Sequence, residues 1–142
     1  MFLHLYRNLC PEITVKMITI RRVYDPEEPG EKHRVLVDRL WPRGVSKENA
    51  GWNEWMREVS PGNELRKWYN HDPARWEEFK RLYREELSGK EELLHKLRWL
   101  EKEHGTLTLL YSSKEKILNN AAALREFLLQ VKRSEERRVG KE

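Results

Sequence analysis

The run His33-Arg34-Val35-Leu36-Val37-Asp38-Arg39-Leu40-Trp41-Pro42-Arg43-Gly44 sets the architecture of this chain. Val35, Leu36 and Val37 follow one another without polar alternation, the pattern of a strand covered on both faces. Residues 33–40 are therefore read as a central strand. Trp41-Pro42-Arg43-Gly44 ends it, because proline cannot donate to a ladder and glycine permits the turn.

On the N-terminal side, the β-branched run 17–24 (MITIRRVY) predicts a first strand. The turn-rich residues 25–30 (DPEEPG) close it. The link between the two strands is about eight residues, shorter than the dozen a parallel crossover usually takes, so their relative direction stays open.

On the C-terminal side, Ser46 and Asn49 are read as opening a helix that carries Trp52, Trp55, Met56 and Val59 and stops at Pro61-Gly62. A short helix through Leu65, Trp68 and Tyr69 leads to Asp72-Pro73, a suitable N-cap and first helical residue. Trp76, Phe79, Tyr83 and Leu87 then recur at helical spacing. A further helix over 90–103 turns Leu93, Leu94, Leu97 and Leu100 inward before Gly105, a third strand covers 106–111, and Ser112-Ser113-Lys114 turn the chain. Leu118, Ala121, Ala122, Leu124, Leu128 and Leu129 mark the last helix. The order β, β, helices, β, α predicts the α/β class: a small, mostly parallel sheet covered by helices in a single domain.

The sixteen residues before Met17 show neither period, so Met17 is read as the start of the domain and 1–16 as a non-native or upstream extension. The charged tail 133–142 (RSEERRVGKE) resembles a translated sequencing-adapter fragment, or else is a solvated, disordered end. The domain is thus placed at 17–132. Removing the six basic and four acidic residues of these ends from totals of 28 and 24 leaves 22 against 20. So small an excess is no polyanion-binding field, although a local basic patch for nucleic acid stays open. Abundant Glu, Lys and Arg hint at a heat-adapted source. Cys10 is the single cysteine, which excludes an internal disulfide and fits a reducing compartment. No apolar run approaches the roughly 18 residues of a membrane span, so a cytoplasmic protein without a membrane partner is expected.

Ligands of open parallel sheets bind beyond the carboxyl ends of the strands. Three groups fall there: Arg22, Tyr24 and Asp25; Asp38, Arg39, Trp41 and Arg43; Ser112, Ser113 and Lys114. A carboxylate at the end of a buried strand needs a partner, so Asp38 is either paired with an arginine or functional. In the second reading Asp38 is a general base or ribose-hydroxyl acceptor, and Arg39 or Arg43 clamps a carboxylate or phosphate. Ser112-Ser113-Lys114 ahead of a helix reads as a cap or an anion site. Asn119 and Asn120 read as ligand-orienting or surface amides. His71 is a candidate acid or base by its ordinary pKa, against a structural role beside the cap. Trp68 and Trp76 read as core before base-stacking platforms. His33, His95 and His104 show no metal spacing, so no metal is expected; GxGxxG, P-loop, GxSxG and HExxH motifs are absent, which leaves the common nucleotide, serine-hydrolase and zinc-protease readings unsupported and any cofactor unknown.

Arg22-Val23-Tyr24-Asp25, Val37 to Gly44 (VDRLWPRG), Leu65-Arg66-Lys67-Trp68, His71-Asp72-Pro73, Arg75-Trp76, Phe79, Tyr83, Glu86-Leu87, Thr108-Leu109-Leu110-Tyr111, Lys114, Asn119 and Ala121 together resemble the YeaO-like branch of a bacterial and archaeal domain-of-unknown-function family. The resemblance implies an α/β fold and no agreed activity. Other branches resemble this one but carry a Cys at the end of the last strand and a Cys-His-Arg run in the next helix, where Tyr111 and Asn119-Asn120-Ala121 stand here. YeaO-like sequences also often place a histidine at the position of Leu118. These departures weigh against a thiol nucleophile, a metal or a catalytic last-helix site.

Two functions follow as expectations. One is binding of a small anionic or nucleotide-like ligand at the strand ends through Asp38, Arg39, Arg43 and Lys114, with or without catalysis. The other is a protein-interaction or nucleic-acid accessory module using exposed Trp and Arg, with Trp41 or Trp52 beside Arg43.

Overall fold

The computed structural model describes residues 17–140. The expectation for 1–16 lies outside them. Four strands, β1 (Met17–Arg22), β2 (Arg34–Leu36), β3 (Glu54–Trp55) and β4 (Thr106–Tyr111), form one sheet in the order β1-β4-β2-β3. All three pairings are parallel, which settles the direction of the first two strands: each lies parallel to β4, which is inserted between them. Four helices follow the strands: α1 (Asn63–Tyr69), α2 (Trp76–Leu87), α3 (Glu91–His104) and α4 (Asn120–Gly140). α4 continues past residue 132, so the boundary drawn there is not an element end.

The alternation of strand side chains divides the sheet into two chemically different faces. Ile18, Val35, Val37, Leu107, Leu109 and Tyr111 point to the helices and share one core with Phe79, Tyr83, Leu97, Leu124 and Leu128. Tyr69, Phe79, Tyr83 and Phe127 form a ladder of rings, with centroids 4.3, 5.7 and 5.7 Å apart, that ties α1, α2 and α4 together. Offset ring pairs of this kind add about 0.5–1.5 kcal/mol each beyond their burial. The opposite face carries Thr19, Arg21, Arg34, Leu36, Thr108 and Leu110. Loops cover it, and Glu31 from the β1–β2 loop bridges Arg21 and Arg34.

The helix expected from Ser46 through Val59 does not form. The unpaired edge of β2 takes this segment instead: Asn53 N donates to Arg34 O (2.8 Å), and Met56 N donates to Leu36 O (2.9 Å). Glu54–Trp55 thereby become β3, and Arg57–Val59 make one 3-10 turn. The helical spacing of Trp52, Trp55, Met56 and Val59 is a coincidence of local period that sheet pairing overrides. Asn49 N donates to Ser46 Oγ (3.2 Å) in an isolated turn.

Local signals hold elsewhere. Asp72 accepts from Ala74 N (3.0 Å), and Pro73 opens the 3-10 turn that runs into α2. Gly105 caps α3 at φ +85, a conformation few other residues adopt without cost. The last helix starts at Asn120, not at Leu118. Ser112-Ser113-Lys114 are therefore separated from it and do not cap it; Asn119 does, accepting from Ala122 N (2.9 Å).

Candidate functional site

All four parallel strands release their chains at one edge of the sheet, and the polar residues converge there. Asp38 stands two residues beyond β2. Its Oδ2 accepts from Ser112 N (2.8 Å) and Ser112 Oγ (2.7 Å), and its Oδ1 accepts from Asn120 Nδ2 (3.1 Å). The partner is thus a serine and an asparagine, and among the described residues no arginine pairs with it. Withdrawal from water holds the Asp38 carboxyl above its usual range, while the Ser112 and Asn120 donors and the more distant Arg66 charge pull it down.

Beside Asp38 opens a pocket of about 180 Å³. Arg39, Arg66, Ser112, His71, Tyr69 and Asn120 contribute to its wall. Arg39 is held by Nε donating to Pro61 O (3.2 Å), and the same peptide unit is fixed from its other side by Gly62 N donating to Glu86 Oε1 (2.8 Å). Tyr69 donates its hydroxyl to Leu118 O (2.8 Å), and burial pushes that hydroxyl's pKa up. Asn70 and His71 have φ of 44 and 55, two successive left-handed residues that are uncommon outside glycine. This turn, just before the Asp72 cap, brings His71 to the pocket, and the imidazole itself is exposed.

The residues singled out from sequence fall into two groups. Asp38, Arg39, His71, Ser112 and Asn119 line this pocket. Arg22, Tyr24, Trp41, Arg43, Ser112 and Lys114 line a neighbouring hollow. Asn119 has spent its amide on the backbone, since Nδ2 donates to Glu115 O (2.9 Å) and Oδ1 caps α4; its neighbour Asn120 is the one that reaches Asp38. Arg66 enters the sequence reading only within the Leu65-Arg66-Lys67-Trp68 run of the family resemblance, and Tyr69 only through a helical period. Only the packing of α1 against the strand ends brings them here.

Trp41 and Trp52 lie half-buried with ring centroids 5.0 Å apart, and Trp41 Nε1 donates to Val45 O (2.6 Å). Trp55 Nε1 donates to Asp38 O (2.7 Å). These rings brace the loop that follows β2. Tyr111, at the end of β4, is buried, and its hydroxyl is pushed up by burial and by the Asp25 carboxylate, so it stays neutral. No group of three or more metal-ligating side chains occurs among the described residues, and no described helix is long and apolar enough to cross a membrane.

Fold and site together define a class: a small α/β protein with an all-parallel sheet and, across the strand carboxyl ends, a pocket bordered by charged and polar side chains over an apolar floor. The family is then particular. The model of the inactive DUF488-N3 subclade matches residues 17–141, and the chain belongs to this family. It is 40% identical over 111 residues to the uncharacterized protein YeaO of Escherichia coli (strain K12), covering 78% of this chain and 96% of that protein. An uncharacterized protein of Mycobacterium tuberculosis (strain ATCC 25618 / H37Rv) is 44% identical over 70 residues, 49% of this chain and 59% of its own length. No solved structure matches.

Proposed function

We propose that this protein binds a small anionic metabolite at the carboxyl edge of its sheet, with a ligand hydroxyl donating to Asp38 and a ligand anion held by Arg39 and Arg66. One observation carries the reading: a half-buried carboxylate satisfied by neutral donors, with no cation among the described residues paired to it, borders an open pocket that two guanidinium groups also line. A closed structural ion pair would have joined these charges to one another. Left apart, Asp38 accepts from a donor, and each arginine presents a fork suited to carboxylate or phosphate.

Binding without turnover is favoured over catalysis. The chain belongs to an inactive subclade, and its last strand ends in the buried Tyr111 at the position where the resemblance implies a cysteine in other branches. Asp38 and His71 both border the pocket, and the Ser112 hydroxyl beside them donates to Asp38 (2.7 Å), where it serves to hold the carboxylate.

Thermal unfolding of the full chain against nucleotides, sugar phosphates and hydroxycarboxylates tests the proposal. A ligand carrying both an anion and a hydroxyl is expected to raise the Tm by several degrees, and Asp38→Asn and Arg39→Ala each to abolish the shift. A shift that survives both substitutions, or no shift across the panel, overturns it.

A further inference from the structure

The pocket beside Asp38 is smaller than the roughly 300–1,000 Å³ of ordinary small-molecule sites, so it takes only part of a metabolite. The neighbouring hollow, about 430 Å³, meets it at Leu40 and Ser112, which line both. Its charge is one-sided. Arg22, Arg43 and Lys114 border it, and among the described residues no acidic side chain does. Nearby, by contrast, Lys116 is paired with Asp25 at 3.4 Å.

The cations are also held at a prepared surface. Arg22 Nε donates to the carbonyls of Ser112 (3.3 Å) and Ser113 (3.0 Å), and its guanidinium lies 4.6 Å from the centre of the Tyr24 ring. That fixes the group through Nε, and among the described residues its terminal nitrogens make no hydrogen bond. The Tyr24 hydroxyl donates to Arg43 O (2.8 Å), and with the Trp41 indole bond to Val45 it anchors the 41–45 loop that carries Arg43. Arg43 and Lys114 are both exposed. Three cations around one hollow exceed what a single carboxylate neutralises and suit a phosphoryl group, which carries about two negative charges and several acceptor oxygens.

We propose that this hollow is a distinct phosphoryl-binding subsite. Resting on the reading of the Asp38 pocket, it makes the ligand a phosphorylated hydroxy acid that lies across Ser112, with its hydroxyl at Asp38, its carboxylate at Arg39 and Arg66, and its phosphoryl group between Arg22, Arg43 and Lys114. Inorganic pyrophosphate and phosphate are the probes, because neither offers a carbon-borne hydroxyl to Asp38.

Titration calorimetry of the full chain with each probe is expected to show binding that weakens with added salt. Arg43→Ala and Lys114→Ala should each weaken it about tenfold, as loss of a charge-assisted hydrogen bond does. Lys114→Glu should weaken it further. The Asp38→Asn, Arg39→Ala double variant should bind the probes as the parent does. If instead that double variant loses the probes and the Arg43 and Lys114 variants keep them, the phosphoryl group sits beside Asp38; this inference then fails and the first reading stands. If neither probe binds the parent at millimolar concentration, the subsite does not exist. Loss of the hydroxy-ligand response alone, with pyrophosphate still bound at Arg43 and Lys114, would remove the Asp38 reading and leave the subsite.

Discussion

Two acidic side chains, Glu31 and Asp38, are both withdrawn from water, and they are satisfied in opposite ways. Glu31 lies under the loops on the polar face of the sheet, with Arg21 on one oxygen and Arg34 Nε 2.9 Å from the other; Arg34 in turn donates to Gly51 O. The space there is exhausted, since a Cβ added at Gly51 would come 2.9 Å from the Arg34 guanidinium. Asp38 has an amide N–H, a hydroxyl and a carboxamide as partners, and open volume beside it. The first arrangement closes on itself and serves the fold. The second leaves its charges apart and leaves room, which is what a ligand requires.

The contrast breaks most readily at Arg34. Arg34→Ala leaves the Glu31 charge buried with half of its compensation, so a loss of about 3–5 kcal/mol is expected in urea unfolding. A loss below about 1 kcal/mol would place Glu31 with ordinary surface pairs and erase the distinction.

The adjacent asparagines sharpen the other side of it. Asn119→Ala removes the α4 cap and is expected to cost about 1 kcal/mol, with the Asp38 titration unmoved when followed by carboxyl carbon NMR. Asn120→Ala is expected to move that titration up, because it takes away a donor to the ionised carboxylate. The reverse pattern would mean that Asn119, not Asn120, belongs to the site.

The smallest effect is the pH dependence of Asp38. Its carboxyl titrates higher in the fold than in the unfolded chain, so the folded state holds the extra proton in the window above the ordinary value of 3.8. Stability contributed by this group is therefore full below that window and falls as pH rises through it. Asp38→Asn should flatten this slope and change stability at neutral pH by less than about 1 kcal/mol, while removing ligand binding. A variant that keeps the parent's slope in urea unfolding at pH 4 to 7 would show that Asp38 is not the group responsible.

Periodicity made most of this fold legible. The amphipathic stripe of α2, the Asp72-Pro73 start, Gly105 and the apolar β4 are local statements, each encoded within a few residues, and each appears in place. The 46–59 segment is different. Its helical spacing is as good as that of α2, yet the free edge of β2 recruits it as β3, and no property of those residues announces that edge.

The site divides along the same line. Chain order and strand pattern are enough to expect Asp38, Arg39, Arg43, Ser112 and Lys114 at the carboxyl ends of the strands, because parallel strands release their loops on one side. Only the tertiary structure decided that Asp38 takes neutral partners, that Asn120 and not Asn119 reaches it, that Arg66 and Tyr69 complete the wall, and that the cations split between two adjoining hollows. The spacing of residues along a strand or helix fixes direction within an element. Which charge meets which partner depends on packing between elements distant in the chain, and Asp38 and Ser112 stand 74 residues apart.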